Sequence, residues 1–363
     1  MTTIKVDGSV LGWGSGGISR YLENVLRHLV EEPDIKIELF ANSHRRVIDL
    51  PQITEHDIRV KGGPVWRASV LSYELWRRPP DVYWLPTASP PPFMSRPYVV
   101  TVHDIAPILF PGSKRALGTF AFGTAYRRAV TRADHVLAVS ESTADDIMRY
   151  WAIPEERITV TPLGVSERFT PGDHEESRTV VEKRWGLKGP FALVVGTLEE
   201  RKGLDLAIDI AAADHDLKLV FVGRNGFGSE TIVERGRRLG AVFLGEIEDT
   251  ELVDLYRSAD ILLAPSIYEG FGLTPLEAMA CGCPVVIAGG SGSLHQIYEG
   301  AAKIVSKRSP DTWIPAMRQV AGERGKWVEA GSQLARRYTW AKTAFVTAQV
   351  LRRVAAGELR NNA

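Results

Sequence analysis

The sequence is poor in cysteine, carries no net charge and contains no long apolar run. Only two of its 363 residues are cysteine, and these two, Cys281 and Cys283, are too close for an unstrained disulfide and too few for a zinc site. We expect them to pack as small thiols in a reducing compartment. Lysine plus arginine equals aspartate plus glutamate, 44 against 44, so no overall field favours a nucleic-acid partner.

The sequence also shows no pattern typical of a membrane span or of a signal peptide. No apolar run approaches the roughly 20 residues that a membrane-spanning helix needs. The first residues, MTTIKVD, have the pattern of a strand rather than of a signal peptide. We therefore expect a cytoplasmic protein.

Apolar runs alternate with helical patterns through both halves of the chain, and the length suffices for about two domains. The predicted strands cover residues 4–10, 35–41, 81–86, 98–102, 134–141, 158–160, 191–196, 217–223, 242–247, 261–264 and 284–287. This alternation predicts an α/β protein with two Rossmann-like domains and a ligand cleft between them. Prolines and glycines between residues 162 and 172 mark the linker.

The stretch 261–290 is the most informative part of the chain. An apolar strand is followed by a glycine loop with Glu269, and then by a helix that we expect to begin at Pro275 with Thr274 as its N-cap. A helix start at the end of a parallel strand is a common anion site. Glu277, three residues after Thr274, fits a capping box, and Glu269 alone would be a solvated loop acid.

A second loop, GTLEERKG at residues 196–203, places Arg201 and Lys202 between a strand and a helix. Adjacent cations at such a junction can bind a diphosphate, arginine through its planar fork and lysine as a point charge. Taken alone, the pair would be ordinary surface charge.

The segment EGFGLTPLEAMACGCPVV resembles the E-x7-E segment of retaining glycosyltransferases of family 4, which have the GT-B fold. The resemblance implies that Glu277 holds the ribose of a nucleotide sugar and that Glu269 contacts the donor sugar. It implies backbone donors at Gly272, Leu273 and Thr274. GTLEERKG is similar to the diphosphate loop of that family, with Thr197 where many members have arginine. That feature resembles mannosyltransferase-type members and favours GDP-mannose as the donor.

Three further segments are similar to parts of the same family. TVHDIAPILFP resembles the segment whose histidine lies beside the donor sugar, which implies this role for His103. Glycines at 12, 14, 16 and 17 precede a helical pattern at 18–29, and the family has a paired-glycine loop there. We expect Gly16 and Gly17 near the diphosphate or the acceptor, although a turn serving only helix packing fits as well. Gly245 and Ile247 are expected along the nucleobase.

Residues 59–132 are strongly basic within a neutral chain. They contain eleven lysines and arginines against three acids, and aromatic side chains are interleaved with them, among these Trp66, Trp76, Phe110, Phe120, Phe122 and Tyr126. Three interpretations stay open: a patch that binds anionic lipid head groups, a surface that attracts an anionic lipid-linked acceptor, and a solvated basic face over core aromatics.

The resemblance implies an acceptor-binding domain at 1–168, a nucleotide-sugar-binding domain at 169–340, and a helix at 341–363 that crosses back to the first domain. It implies retaining transfer of a hexose to a hydroxyl of a glycan or lipid-linked acceptor in bacterial polysaccharide or glycoconjugate synthesis, at the inner face of the membrane or in the cytoplasm. A UDP-sugar donor and a non-catalytic nucleotide-sugar-binding protein are the alternatives.

Two other chemistries are disfavoured by the residues. No Asp-x-Asp pair stands where a metal would neutralise the diphosphate, and Arg201 with Lys202 can do so, so we expect no metal and no other cofactor. A dinucleotide-dependent dehydrogenase is the rival with a similar fold. In that class an acid follows the second strand, and no acid stands directly after the strand predicted at 35–41.

Overall fold

The computed structural model describes residues 1–13, 16–42, 48–60, 63–88, 91, 94, 97–110, 116–226, 228–290 and 292–360. These residues form two compact units. Unit 1 comprises the described residues before 111, those of 116–164 and those from 339 onward, and unit 2 comprises Val165–Tyr338. No helix among the described residues is both long and apolar enough to cross a membrane.

Unit 1 is built on a seven-stranded sheet in which every strand pair is parallel. The strand order is β3-β2-β1-β4-β5-β6-β7. Its strands are β1 (Thr2–Asp7), β2 (Ile35–Ala41), β3 (Thr54–Asp57), β4 (Val82–Leu85), β5 (Tyr98–Val102), β6 (His135–Ala138) and β7 (Ile158–Val160). Its helices are α1 (Gly17–Leu29), α2 (Gly63–Trp66), α3 (Ser72–Arg77), α4 (Ala106–Leu109), α5 (Ala116–Arg132), α6 (Glu141–Trp151) and the last helix of the chain, Trp340–Ala355.

Unit 2 repeats the architecture with six parallel strands in the order β10-β9-β8-β11-β12-β13. Its strands are β8 (Ala192–Val195), β9 (Leu219–Val222), β10 (Val242–Phe243), β11 (Ile261–Ala264), β12 (Val285–Ala288) and β13 (Lys303–Val305). Its helices are α7 (His174–Trp185), α8 (Leu204–Ala213), α9 (Glu230–Arg238), α10 (Asp249–Ser258), α11 (Leu273–Ala280), α12 (Leu294–Tyr298), α13 (Pro310–Gly322) and α14 (Arg324–Ala335), so the last helix of the chain is α15. The prediction of an α/β fold with two parallel sheets is confirmed.

The central strands of both sheets are short apolar runs, as expected when helices cover both faces of a parallel sheet. All four residues of β11 (ILLA) are buried, and so are all four of β9 (LVFV). One large apolar cluster of unit 2 joins α8 and α13 to this sheet and includes the fully buried Trp313 and Phe221. Because these strands have no polar face, the chemistry of the unit is left to the loops at their ends.

The last helix, α15, belongs to unit 1 and packs against α1. Thr339 caps its first turn, accepting a hydrogen bond from the amide of Lys342 at 3.3 Å. On its inner side the rings of Trp340 and Tyr21 lie 6.2 Å apart. Thr343 donates to the carbonyl of Pro162 at 2.6 Å, which fixes α15 to the segment that follows β7.

Several predicted bounds were wrong. The strands predicted at 134–141 and 242–247 end at Ala138 and Phe243, and local contacts account for the corrections that follow. Strand β1 ends at Asp7 rather than at residue 10, since the Asp7 carboxylate accepts from the amide of Ser9 at 2.9 Å and starts a turn. Helix α6 begins at Glu141, inside the strand predicted at 134–141, and Ser140 caps it by accepting from the amide of Thr143 at 3.1 Å.

The last correction concerns the start of α11. The helix begins at Leu273 after Gly272, so Thr274 is already helical and forms no side-chain cap. The capping box with Glu277 therefore does not exist.

Gly164 makes the closest backbone approach in unit 1. A Cβ atom there would lie 2.2 Å from the amide nitrogen of Trp340 and 2.4 Å from the carbonyl carbon of Thr339. We expect Gly164→Ala to lower the stability of unit 1 by about 1–3 kcal/mol, because only backbone movement relieves the clash. Thermal unfolding followed by circular dichroism measures this effect.

Gly325→Ala is the matched control, since a Cβ there meets no described atom within 4 Å and alanine favours the helix. An unfolding midpoint for Gly164→Ala equal to that of the wild type would contradict the packing of α15 described above.

Candidate functional site

The site in unit 2 lies where the strand order reverses. From β8 the chain moves outward to β9 and β10 and then returns to the other side of β8 at β11. The loops that leave β8 and β11 therefore diverge at the carboxyl edge of the sheet. In open α/β sheets this crevice is where ligands bind.

The loop after β8 touches the loop after β11 through backbone atoms. Gly203 has a positive φ of 67°, and a Cβ there would lie 2.0 Å from the carbonyl oxygen of Pro265. The amide of Ile267 donates to the carbonyl of Arg201 at 2.7 Å. Only glycine at 203 permits this approach, which brings Arg201 and Lys202 beside Glu269.

Glu269 is bound by both cations. Its Oε1 atom lies 2.5 Å from Lys202 Nζ and accepts from Ser266 Oγ at 2.8 Å, and its Oε2 atom lies 3.3 Å from Arg201 Nη1. Burial raises the pKa of this carboxyl, but Lys202 and Arg201 outweigh burial and lower it to about 2. Glu269 is therefore ionised at neutral pH, and Arg201 also pairs with Glu199 at 3.2 Å.

The loop after β12 fixes the backbone of Glu269. Ser293 donates to the Glu269 carbonyl from its amide at 3.0 Å and from its hydroxyl at 3.1 Å. A Cβ at Gly292 would lie 2.4 Å from the same carbonyl oxygen. Sequence reasoning assigned no role to Ser293, although the Gly-Ser run that contains it follows a strand of the same sheet.

Arg308 is a second residue that pattern reasoning missed. Its Nη1 donates to the carbonyl of Pro265 at 2.5 Å, and its Nη2 lies 3.7 Å from Asp205 and would be 2.5 Å from a Cβ at Gly203. It thus holds together the two loops that carry the charged cluster. No sequence signal marks it, since it follows the distant strand β13.

Helix α11 begins beside this cluster. Gly272 precedes it with φ at 84°, and Tyr298 donates its hydroxyl to the Gly272 carbonyl. The amides of the first helical turn have no acceptor within the helix, so those at Leu273 and Thr274 are available donors by geometry. Lys202 and Thr274 line one small cavity together with Val194, Val195, Gly196, Thr197, Leu204, Leu263, Ala264, Pro265 and Ser266.

Glu277 is buried rather than exposed at the helix start. Only 2% of the residue is accessible, and its Oε2 accepts from the hydroxyl of Tyr256 at 3.2 Å. Tyr256 lies on α10, outside the segment that carried the resemblance. The structure thus places Glu277 one helical turn into α11, under the loop that holds Glu269.

Gly245 and Ile247 follow β10, two strands away from β8. The carbonyl of Gly245 accepts from the amide of Gly223 at 2.8 Å, which ties the loops after β9 and β10 together. Gly245 is exposed and Ile247 is half-buried. Neither lines the cavity that contains Lys202 and Thr274.

His103 directly follows β5 at the carboxyl edge of unit 1. Its Nε2 lies 2.9 Å from the carbonyl of Pro86, so Nε2 carries the proton that is donated. Burial lowers the pKa of this imidazole, against the opposing effects of Pro86 and Asp104. The neutral ring then leaves Nδ1 as an acceptor, and the ring of Tyr21 packs edge-on at 4.7 Å. Its proximity to Glu269 stays a prediction.

Gly16 and Gly17 start helix α1 after the turn that follows β1. Gly16 has φ at −68°, and a Cβ at either glycine would meet no described atom within 4 Å. Packing among the described residues therefore does not require glycine at these positions. The role of Gly16 and Gly17 near the diphosphate or the acceptor stays a prediction. Gly14, part of the same glycine pattern, lies outside the described residues.

Two family models match this chain in consecutive segments. Glycosyltransferase Family 4 matches residues 15–169, and Glycosyl transferases group 1 matches residues 177–332. Each segment coincides with most of one parallel sheet and its helices. The chain belongs to the family 4 glycosyltransferases, which have the GT-B fold.

Curated relatives agree with this assignment. O-antigen chain mannosyltransferase B of Escherichia coli is 30% identical over 62% of this chain and 64% of that protein. D-inositol 3-phosphate glycosyltransferase of Acidothermus cellulolyticus is 28% identical over 91% of this chain and 84% of that protein. Mannosylfructose-phosphate synthase of Agrobacterium fabrum is 31% identical over 57% of this chain and 50% of that protein.

Solved structures show the same fold. Sucrose-phosphate synthase from Thermosynechococcus elongatus superimposes with a TM-score of 0.80 at 16% identity, covering 98% of this chain and 100% of that one. Anabaena HepE in complex with UDP and glucose superimposes with a TM-score of 0.74 at 18% identity, covering 97% of this chain and 99% of that one. At these identities the likeness concerns the fold alone.

The depressed pKa of Glu269 predicts an acid-sensitive contribution to stability. A carboxyl with a folded pKa of about 2 instead of 4.5 stabilises the fold above pH 4.5 and loses that effect as the pH falls toward 2. We expect Glu269→Gln to be less stable than wild type at neutral pH by up to about 3 kcal/mol, with the gap narrowing in acid. Urea unfolding at a series of pH values measures the gap.

Glu234→Gln serves as the control, because the ion pair of Glu234 with Arg238 lies exposed on α9. A difference in the free energy of unfolding between Glu269→Gln and wild type that stays constant with pH would contradict the assigned ionisation.

Proposed function

We propose that this chain transfers mannose from GDP-mannose, with retention of anomeric configuration, to a hydroxyl of a glycan or lipid-linked acceptor. The reaction belongs to the synthesis of a bacterial polysaccharide or glycoconjugate, in the cytoplasm or at the inner face of the membrane. The observation that supports it best is the cluster of Arg201, Lys202 and Glu269 beside the N-terminus of α11, in a chain of this family.

The hard part of this chemistry is the departure of the nucleoside diphosphate. Negative charge develops on the leaving phosphate as the sugar C1–O bond breaks, and fixed positive groups stabilise it most when they are already in place. Lys202 and Arg201 are held at 2.5 Å and 3.3 Å from the Glu269 carboxylate before any ligand arrives. The amides at Gly272, Leu273 and Thr274 add the helix N-terminus to this field.

Glu269 has two effects in this arrangement. It holds both cations in position, and its second role is to accept hydrogen bonds from hydroxyls of the donor sugar. Glu277 accepts from the ribose hydroxyls, which compete with Tyr256 for its carboxylate. Gly245 and Ile247 contact the nucleobase, and Gly16 and Gly17 leave room at the start of α1 for the diphosphate or the acceptor.

Proton transfer needs no dedicated base in this scheme. The acceptor oxygen forms its bond to C1 on the face from which the leaving group departs, and its proton passes to an oxygen of the departing phosphate. His103 stays neutral and accepts a hydrogen bond from the sugar through Nδ1, because Nε2 is committed to Pro86.

Nucleotide binding tests the donor and the site together. A ligand that binds the native state raises the unfolding temperature, so we expect a larger thermal shift with GDP than with UDP. Lys202→Ala and Glu277→Gln each lose most of that shift, as expected when a charge-assisted contact worth about 2–3 kcal/mol is removed. Lys183→Ala, an exposed lysine on α7, is the matched control and keeps the shift.

The outcomes separate the alternatives. A larger shift with UDP assigns a UDP-sugar donor instead of GDP-mannose. Equal shifts in wild type, Lys202→Ala and Glu277→Gln overturn the site. Binding without turnover across a panel of donors and acceptors identifies a non-catalytic nucleotide-sugar-binding protein.

Turnover itself tests the absence of a metal and the stereochemistry. We expect transfer from GDP-mannose to continue at an unchanged rate after dialysis against EDTA, because Arg201 and Lys202 neutralise the leaving group. Proton NMR of the product is expected to show the anomeric configuration of the donor. Loss of activity in EDTA with recovery on adding magnesium, or an inverted product, would contradict the mechanism.

A further inference from the structure

Unit 1 has an exposed aromatic face on the helical segment between β3 and β4. This segment comprises α2, a π-helical turn at Arg67–Leu71, and α3. Its inner side is buried at Trp66, Leu71 and Leu75. Its outer side exposes Val65 (55%), Tyr73 (52%) and Trp76 (76%), three of the eight exposed large hydrophobic residues of the described chain.

The π-helical turn sets these side chains in one row. The backbone amide of Ser72 donates to the carbonyl of Arg67, five residues earlier, and the extra residue per turn brings Tyr73 onto the side of Val65. The rings of Tyr73 and Trp76 lie 6.4 Å apart. Ala68 and Ser69 are also exposed and stand between Val65 and Tyr73 in the sequence.

Positive charge borders the row at its end. Arg77 and Arg78 are exposed and form no ion pair with a described carboxylate. The one acid of residues 59–80 is Glu74, which is half-buried and whose carbonyl accepts from the buried Lys5 at 3.1 Å. Of the other basic residues expected in this region, Lys61, Arg96, Lys114 and Arg115 lie outside the described residues.

We propose that Val65, Tyr73, Trp76, Arg77 and Arg78 form a docking face for the surface of a bilayer that contains anionic phospholipids. Tryptophan and tyrosine prefer the boundary between head groups and acyl chains, and arginine beside them gains from anionic lipid. A symmetric second copy fits less well, because pairing two such faces brings like charges together. The purpose of this face, which is to bring the enzyme to a lipid-linked acceptor, rests on the proposed function; its binding to a bilayer does not.

Vesicle co-sedimentation tests the face with the full chain and without any substrate. The probes are vesicles of phosphatidylcholine alone and of phosphatidylcholine mixed with phosphatidylglycerol. We expect wild type to bind the mixed vesicles, and to bind them less as salt rises. Tyr73→Ser/Trp76→Ser is expected to bind about tenfold less, from the apolar area lost. Arg77→Gln/Arg78→Gln is expected to lose about fivefold per arginine.

Matched controls change equivalent residues elsewhere. Phe345→Ser removes an aromatic side chain that is also 52% exposed, on α15, and Lys183→Gln/Lys188→Gln removes two exposed charges of unit 2. Both are expected to bind as wild type does. Nucleotide thermal shifts are expected to stay unchanged in every variant, so failure of the donor site and failure of this face are separate results.

Three results would overturn the proposal. Wild type that binds neither kind of vesicle has no lipid face. Full binding by Tyr73→Ser/Trp76→Ser places lipid contact elsewhere. A wild-type dimer in light scattering that Tyr73→Ser/Trp76→Ser converts to a monomer, with no effect on vesicle binding, assigns the face to a second copy of the chain.

Discussion

The ion pair of Glu269 with Lys202 and Arg201 is the interaction on which the candidate site depends. Burial alone would favour a protonated Glu269, and two adjacent cations alone would repel each other. The two cations stabilise the ionised form of Glu269 and lower its pKa to about 2. The loops after β8 and β11, separated by more than sixty residues in sequence, are joined as a result.

Backbone contacts position the loops that carry this ion pair. Gly203 lets its loop approach the carbonyl of Pro265, and Arg308 donates to the same carbonyl. Ser293 fixes the carbonyl of Glu269 from a third loop. In the proposed reaction, charges held in this way would need little reorganisation on binding a diphosphate, which is the condition for strong electrostatic stabilisation of a leaving group.

The two units use the same sheet edge for different chemistry. In unit 2 the strand ends carry paired ions, whereas in unit 1 His103 is held neutral by burial and by its bond to Pro86. A neutral ring packed edge-on against Tyr21 suits hydrogen bonding to a sugar hydroxyl better than neutralisation of a phosphate. This difference agrees with a division in which unit 2 supplies the groups for the diphosphate.

Local pattern alone was enough to determine the alternation of strands and helices and the loops that hold Arg201, Lys202 and Glu269. Strands β2, β5, β7 and β11 begin and end where their apolar runs do, because a buried parallel strand needs an unbroken apolar run. The family resemblance followed from the same residues, since its motifs are contiguous in sequence.

Tertiary structure decided which side chains meet. Glu277 looked like a capping partner for Thr274, but Gly272 starts the helix earlier and Tyr256 from α10 takes the carboxylate. Ser293 and Arg308 reach the site from loops that only the strand order brings near. Trp66 and Trp76 each stand between an aliphatic residue and an arginine in the sequence. Only packing within unit 1 determines that Trp66 is buried and Trp76 is exposed. Spacing along the chain encodes the period of an element, whereas partners across loops depend on how the strands are ordered in the sheet.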